Sequence, residues 1–510
     1  MRKIQFLDTT LRDGEQTPGV HFSTQDKVQI ALQLERWGVD VIEAGFPRAS
    51  KGDFEAVQAI AKHVKRACVA ALARCNKQDI DEAYEALEAA KFKQIHIFIA
   101  TSDVHLRHKL KMTRQQVLEK IKEFVGYARG LFDIVQFSPE DACRTEREFL
   151  LESVQMAIDS GASVINIPDT VGYTTPQEYG EIFAFLRTNC KSQREILYSC
   201  HCHNDLGMAG ANALAAVENG AGRVEGTVNG IGERAGNTAL EEVAVALHIR
   251  REHYRATSNI VLALTKQTSD LVANLSGIPV PKNKAIVGGN AYAHQSGIHQ
   301  DGVLKNPETY EIITPQLVGV ANNSLPLGKL SGRHAFAQKL KALGYDEVLE
   351  EEMNSLFLRF KSLADKKKQV EDSDILALLS DNYKAQEDFA IKNIQLQYVS
   401  SGYQSAVVSL EYDGGVHVES SIGDGSVQAI YKAIDKLLLQ SPELLSYEIK
   451  SLSSGEDSQA QVFVSIADKN GKRFNGSGVD FDVLYASAKA YVQAYNSWKK
   501  GSNEIKIQGV

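Results

Sequence analysis

Several things are missing from this chain of 510 residues, and each absence removes a class of protein. No run approaches the ~20 apolar residues that cross a bilayer. The opening Met1-Arg2-Lys3-Ile4-Gln5-Phe6-Leu7-Asp8 has only a short apolar stretch, cut by Asp8, and lacks a secretory signal's hydrophobic region. Six cysteines (Cys68, Cys75, Cys143, Cys190, Cys200 and Cys202) supply neither the paired CxxC motifs of a zinc ribbon nor the density of a disulfide scaffold. A soluble protein of the reducing cytoplasm is therefore expected. The net charge of −8 lacks the basic surplus of a nucleic-acid binder. Neither nucleic acid nor membrane is expected as a partner.

What is present is globular in character, with 43% hydrophobic and 24% charged residues. The length calls for two or three domains. Up to about residue 250, short β-rich runs alternate with helical patterns. Ile4–Leu7 leads to the helical Thr24–Trp37, Val39–Ala44 to Phe54–Val64, Cys68–Leu72 to Asp79–Ala90, and Gln94–Ala100 to Thr113–Tyr127. Ile134–Phe137 then leads to Glu146–Ser160, Val164–Ile167 to Pro176–Thr188, Ile196–Cys200 to Ala209–Glu218, and Arg223–Val228 to Thr238–His248. Eight such units predict an α/β fold, a (β/α)8 TIM barrel with its chemistry in the loops after the strands. An open doubly wound sheet is the runner-up; its dinucleotide-binding form would need a GxGxxG turn after the first strand, which is missing.

The rhythm then stops. Residues 270–345 read as a linker rich in Gly, Pro and Asn, followed by a charged amphipathic helical stretch over 346–384. From about Phe389 alternating runs return, and two β-rich sets each end in a helix, Val427–Leu439 and Val483–Trp498. The expected domains are a barrel over 1–270, linker subdomains over 271–385, and a C-terminal α+β module with an internal repeat over 386–510.

In Ser199-Cys200-His201-Cys202-His203-Asn204-Asp205, two histidines one residue apart point to the same side of a strand, and Cys202 points the other way. The pair is either half of a metal site or two hydrogen-bonded core residues, and the pattern alone does not decide. Barrel closure adds partners. The first strand neighbours the eighth and lies one strand from the seventh, so Asp13 comes near the pair although about 190 positions separate them. Asn237, in the turns after the eighth strand, can project inward as well. A carboxylate, two imidazoles and an amide form an open shell for Mn²⁺, Zn²⁺ or Mg²⁺. Taken singly, Asp13 could be a surface carboxylate and Asn237 a turn residue. Arg12 offers a fork for a carboxylate or a developing oxyanion, or else a structural ion pair with Asp13. A metallohydrolase with His-x-His on strand one is disfavoured, because this pair falls on strand seven.

Asp8-Thr9-Thr10-Leu11-Arg12-Asp13-Gly14-Glu15-Gln16, the His201 segment and Gly232-Glu233-Arg234-Ala235-Gly236-Asn237 together resemble the DRE-TIM metallolyase superfamily, in its Claisen-condensing branch. The resemblance covers essentially the whole chain. It implies an acyltransferase of leucine biosynthesis that joins acetyl-CoA to 2-oxoisovalerate, with pyruvate as the alternative 2-oxo acid. It also implies a divalent metal (Mn²⁺ foremost, Zn²⁺ or Mg²⁺ otherwise) held by Asp13, His201, His203 and Asn237, with K⁺ as an optional second ion. Arg12 would steady the ketone oxygen as it becomes an alkoxide. His96, Ser138, Asn166 and Thr170 would line the 2-oxo acid pocket, with Glu140 towards acetyl-CoA. By the same resemblance Ala293–Gly302 reaches a neighbouring subunit's barrel in a homodimer, and its His299 serves the general-base machinery, with His294 as the fallback. The C-terminal module is similar to a leucine-sensing domain, with Gly423, Gly425 and Ala429 in one half matched by Gly476, Gly478 and Asp482 in the other. Ser426 and Gln428 depart from the pattern usual there, where Pro and Asp are common.

Overall fold

Eight of the short apolar runs form parallel strands in the computed structural model: β1 (Gln5–Asp8), β2 (Val41–Glu43), β3 (Cys68–Arg74), β4 (Lys93–Ala100), β5 (Val135–Glu140), β6 (Val164–Asp169), β7 (Leu197–Cys202) and β8 (Arg223–Gly226). They hydrogen-bond in chain order and close into a barrel, with β1 paired to β8 from Gln5–Arg223 to Asp8–Gly226. The structure describes residues 1–294, 296–320, 327–328, 331–343, 350–366, 370, 375, 378, 388–451 and 460–501. Among these, no helix is long and apolar enough to cross a membrane.

A helix follows each strand: α1 (Thr24–Trp37), α2 (Lys51–His63), α3 (Lys77–Ala86), α4 (Arg114–Arg129), α5 (Arg147–Ser160), α6 (Pro176–Asn189), α7 (Ala209–Glu218) and α8 (Leu240–Ile249). Local chemistry sets their ends. At α1 the Ser23 hydroxyl accepts from Asp26 N at 3.1 Å while the Asp26 carboxylate takes Ser23 N at 2.9 Å, a reciprocal capping box. Gly38 stops the helix with φ of 97°, and a β-carbon there would sit 2.3 Å from Asn259 O.

The main core lies between strands and helices, where Phe6, Ile30, Leu34, Trp37, Ile60, Ile97, Phe137 and Phe183 are buried. Each such side chain contributes about 1.5–3 kcal/mol of burial. The barrel interior differs. A small apolar layer of Leu7, Val41 and Ala70 is accompanied by buried Glu43, Gln94, His96, Gln136, Ser138, Asn166, Ser199, His201, Arg223 and Glu225. Strand alternation sends these residues inward and their neighbours to the helices.

The compact unit runs past residue 270 to Tyr292 and takes in Glu311–Asn323. Val287, Tyr292 and Val318 bury against Val245 of α8, so part of the stretch read as linker packs on the barrel.

The second unit comprises Ala293–Tyr310 and Ser324–Val510. Helices Arg333–Ala342 and Glu350–Lys366 bury Phe336 and Phe360, whose rings stack at 4.7 Å. Most of the helical pattern expected beyond Lys366 falls outside the described residues. The C-terminal module is built twice over: strands Ala390–Gln397, Gln404–Tyr412 and Gly415–Gly423 precede helix Ser426–Leu438, and strands Glu443–Ser451, Ala460–Ala467 and Arg473–Asp480 precede helix Val483–Gly501. Each set of strands is an antiparallel sheet, and the two helices share one core in which Tyr431 stacks on Tyr491 at 3.8 Å.

Candidate active site

The turn after β1 carries Asp13 back over the mouth of the barrel. Its Oδ2 lies 3.5 Å from His201 Nε2 and 3.9 Å from His203 Nε2. Its Oδ1 accepts from Asn237 Nδ2 at 3.2 Å. His201 ends the inward row of β7, and His203, just beyond, forms a bridge with Asn237. Gly232 leaves the room this needs, since a β-carbon there would lie 2.2 Å from Asn237 Nδ2. All four side chains are buried. Cys202 lies in the apolar core behind the strand, away from the imidazoles, and burial pushes its thiol pKa up.

Protonation suits a cation. Burial works to raise the Asp13 pKa, but Arg12 and the two imidazoles overcome it and hold the carboxyl at about 2. Burial pushes His201 down to about 3 and His203 in the same direction. One ionised carboxylate and two neutral imidazoles, their ligand atoms within 4.8 Å of one another, make the donor set of a mononuclear divalent site. Asn237 Oδ1 is buried without a hydrogen-bond partner beside them, an orphan that a cation would satisfy. The residues fit the metal.

Arg12 is gripped from two sides, Nη1 donating to Asp13 Oδ2 at 2.6 Å and Nε to Glu43 Oε2 at 2.7 Å. Its Nη2 makes no hydrogen bond to any described residue, which leaves one edge of the guanidinium for an incoming oxygen. Burial works against the charged form, yet Asp13 and Glu43 raise the Arg12 pKa further above its ordinary value.

Glu43, at the end of β2, is the hub that the sequence reading passed over. It is fully buried and accepts from Thr9 Oγ1 at 2.6 Å as well as from Arg12. His96 Nδ1 lies 2.5 Å from its second oxygen. Burial would raise its pKa, but Arg12 and His96 bring it far below the carboxylate range. With Glu43 ionised, His96 Nδ1 is the donor to it. Ser138 Oγ sits 2.6 Å from His96 Nε2 and accepts from Asn166 Nδ2 at 2.9 Å, so its own proton can go to the imidazole. Thus His96, Ser138 and Asn166 form one chain leading from Arg12 through Glu43. A signal for Glu43 existed: an acid interrupting the apolar Val41-Ile42-Glu43-Ala44.

Two other expected residues are occupied differently. Thr170 Oγ1 accepts from Asp141 N at 3.0 Å, and its carbonyl takes Arg234 Nη2 at 2.9 Å. Glu140, two positions along β5 from Ser138, accepts from Lys109 Nζ at 2.7 and 2.9 Å. His299 belongs to the second unit, exposed on helix Gly297–Lys305 with its ring over Tyr310 at 4.3 Å. Gln295 of the same segment is outside the described residues.

In the C-terminal module the two matched glycine-rich stretches are not equivalent. Gly423 ends a strand, Gly425 caps helix Ser426–Leu438, and the amide of buried Ala429 closes the first helical turn on Gly425 O at 3.0 Å. Gly476 and Gly478 instead lie inside strand Arg473–Asp480, where a β-carbon would come within 2.1 Å of Ala490 O and 2.3 Å of Ala486 O. They are glycine so that the last helix can lie close on the sheet. Asp482 caps that helix, accepting from Leu484 N at 2.7 Å.

A closed parallel barrel with a carboxylate–bis-imidazole cluster at its strand ends defines a metal-dependent (β/α)8 enzyme. Family models match along the chain: HMGL-like over residues 3–272, homocitrate synthase post-HMGL domain-like over 286–368, and the LeuA allosteric (dimerisation) domain over 369–499. A 2-isopropylmalate synthase of Listeria monocytogenes serotype 4a (strain HCC23) is 60% identical over 512 residues, covering 100% of both chains. That of Staphylococcus carnosus (strain TM300) is 58% identical over 496 residues, covering 97% of each. The chain belongs to the HMGL-like family, and within it to the 2-isopropylmalate synthases.

Proposed function

We propose that the chain condenses acetyl-CoA with 2-oxoisovalerate, releasing 2-isopropylmalate and CoA, as an acyltransferase of leucine biosynthesis. Similarity to 2-isopropylmalate synthases over the whole length carries this reading. The convergence of Asp13, His201, His203 and a half-free Arg12 supports it.

Asp13, His201 and His203, completed by Asn237, hold the divalent cation, with Mn²⁺ preferred over Zn²⁺ or Mg²⁺ and K⁺ as an optional second ion. When bound, the cation supplies Lewis acidity to the ketone and carboxylate of a 2-oxo acid. Arg12 turns its free Nη2 edge to the ketone oxygen, where negative charge grows in the transition state. His96, Ser138 and Asn166 orient the acid through the hydrogen-bond chain from Glu43, with Thr170 on the loop after β6. Glu140 faces acetyl-CoA. His299 accepts the proton from the acetyl methyl group, an imidazole being suited to that work near neutral pH. The resulting carbanion attacks the ketone carbon, and water then releases CoA from the thioester.

Residues 1–270 form the catalytic domain, 271–385 the linker that brings His299 to a neighbouring barrel in a cytoplasmic homodimer, and 386–510 the leucine-responsive module. Release of free thiol from acetyl-CoA, measured with 2-oxoisovalerate and with pyruvate, tests the substrate. The expected result is faster release with 2-oxoisovalerate; pyruvate outperforming it would sink the assignment.

A further inference from the structure

Below the cluster, Glu225 of β8 is fully buried and its two oxygens are treated unequally. Oε1 accepts from Ser199 Oγ at 2.6 Å and from Gln136 Nε2 at 2.8 Å. Gln136 is held in turn by Arg223, whose Nη1 donates to Gln136 Oε1 at 2.9 Å and to Gln94 Oε1 at 3.2 Å. Arg223 Nη2 donates to Gln5 Oε1 at 2.7 Å. This polar floor fixes the carboxylate in one orientation. Glu225 Oε2, by contrast, is buried with no hydrogen-bond partner.

That oxygen faces His201 Nδ1 at 3.9 Å, and His201 Nδ1 is buried and unpartnered too. The pairing of β7 with β8 sets His201 opposite Glu225, so both side chains enter the barrel at the same level. They stand about 1 Å beyond hydrogen-bond distance. The other ring nitrogen, Nε2, points to Asp13. A neutral imidazole has one N–H, so when Nε2 gives its lone pair to a cation the proton sits on Nδ1. A histidine ligand hands that proton to a carboxylate, a carbonyl or water, which holds the ring and makes it a better donor.

We propose that Glu225 is a positioning residue for the metal centre: its Oε2 accepts the Nδ1–H of His201 and fixes the ring with Nε2 towards the cation. This rests on the metal reading of Asp13, His201 and His203. It gives a role to an acid that would otherwise be buried beneath the site with half its acceptor capacity unused.

Calorimetric titration of the full-length protein with Mn²⁺ tests it, with melting temperatures recorded alongside. Glu225→Gln, which keeps the side-chain volume, should weaken Mn²⁺ binding about 10- to 100-fold. Ser199→Ala, which removes a bond to Oε1 and leaves Oε2 alone, should keep the parent affinity even where it lowers the melting temperature. Equal affinity in Glu225→Gln and the parent overturns the inference. So does a loss in Ser199→Ala as large as that in Glu225→Gln, which would mark the floor as structural only. If Glu225→Gln does not fold, Glu225→Asp takes its place, its carboxylate drawn back by one methylene; it too should bind more weakly, and parent affinity there overturns the inference. A parent chain that binds no Mn²⁺ overturns the metal reading itself, an outcome distinct from a parent that binds and variants that match it.

Discussion

At the scale of single residues, the centre depends on two carboxylates that share one guanidinium. Asp13→Asn keeps the size and removes the charge, and is expected to abolish Mn²⁺ binding and lower turnover at least about 1000-fold, read by calorimetry and thiol release. Arg12→Lys cannot reach Glu43 and Asp13 together while leaving an N–H edge free. It should cut kcat by about 100- to 1000-fold with a smaller change in KM. Acidity should matter little to metal loading. Burial holds His201 neutral down to about pH 3 and lowers the His203 pKa, so protons compete for His201 only at low pH and for His203 less than for an ordinary imidazole. From about pH 7.5 to 5.5 the Mn²⁺ affinity should fall less than about tenfold, whereas two ordinary imidazoles would lose about 100-fold. A steep loss in that interval would contradict it. Asp13, His201 and Asn237 were legible because counting strands places them at one end of one barrel. The partners of Glu43 and Glu225 were not. Each glutamate is one acid within a three- or four-residue strand, and which of its neighbours it meets depends on inter-strand register, which no local pattern encodes.

At the scale of elements, periodicity was a good guide where caps were strong. The span Thr24–Trp37 is the observed α1, bounded by the Ser23 box and left-handed Gly38. Gly38→Ala forces an L-residue into that conformation and against Asn259 O, and should cost about 2 kcal/mol or more, seen as a lower melting temperature. Glycine can also serve packing instead of turning: Gly476 and Gly478, matched in sequence with Gly423 and Gly425, are strand residues under a helix. The same module carries a buried acid on helix Ser426–Leu438. Asp435 accepts from Tyr491 and Tyr495 at 2.8 and 2.7 Å, yet burial outweighs those hydroxyls and raises its pKa from 3.8 to about 6. Between those values the folded carboxyl keeps a proton that the unfolded chain has shed, so stability falls as pH rises through the window and levels off above it. Asp435→Asn should remove that slope, on the order of 2 kcal/mol, when melts of parent and variant are compared across pH 4–6.5.

At the scale of the molecule, eight strand–helix alternations made the barrel readable, while the boundary near residue 270 did not anticipate that Val287 and Val318 pack on α8. Irregular segments lack a period to read, and only burial reveals which body they join. If leucine binds the C-terminal module and weakens substrate binding in the barrel, the coupling must be reciprocal: saturating 2-oxo acid and acetyl-CoA should weaken leucine binding by the factor by which leucine weakens theirs. Leucine titrations with and without substrate read this directly, and identical affinities would mean that no such coupling exists. The closure of the barrel also has a meaning in time. Asp13 and Asn237, hydrogen-bonded in the finished site, are 224 positions apart. At about 5–20 residues per second a ribosome needs roughly 10–45 s to deliver the second after the first. Throughout that interval β1 has a bare edge awaiting β8, and its four residues offer a short template for wrong pairing. The cation can hold the site together only after the last barrel strand has emerged, so metal capture marks a completed barrel, and nascent chains stalled before Asn237 should retain no Mn²⁺.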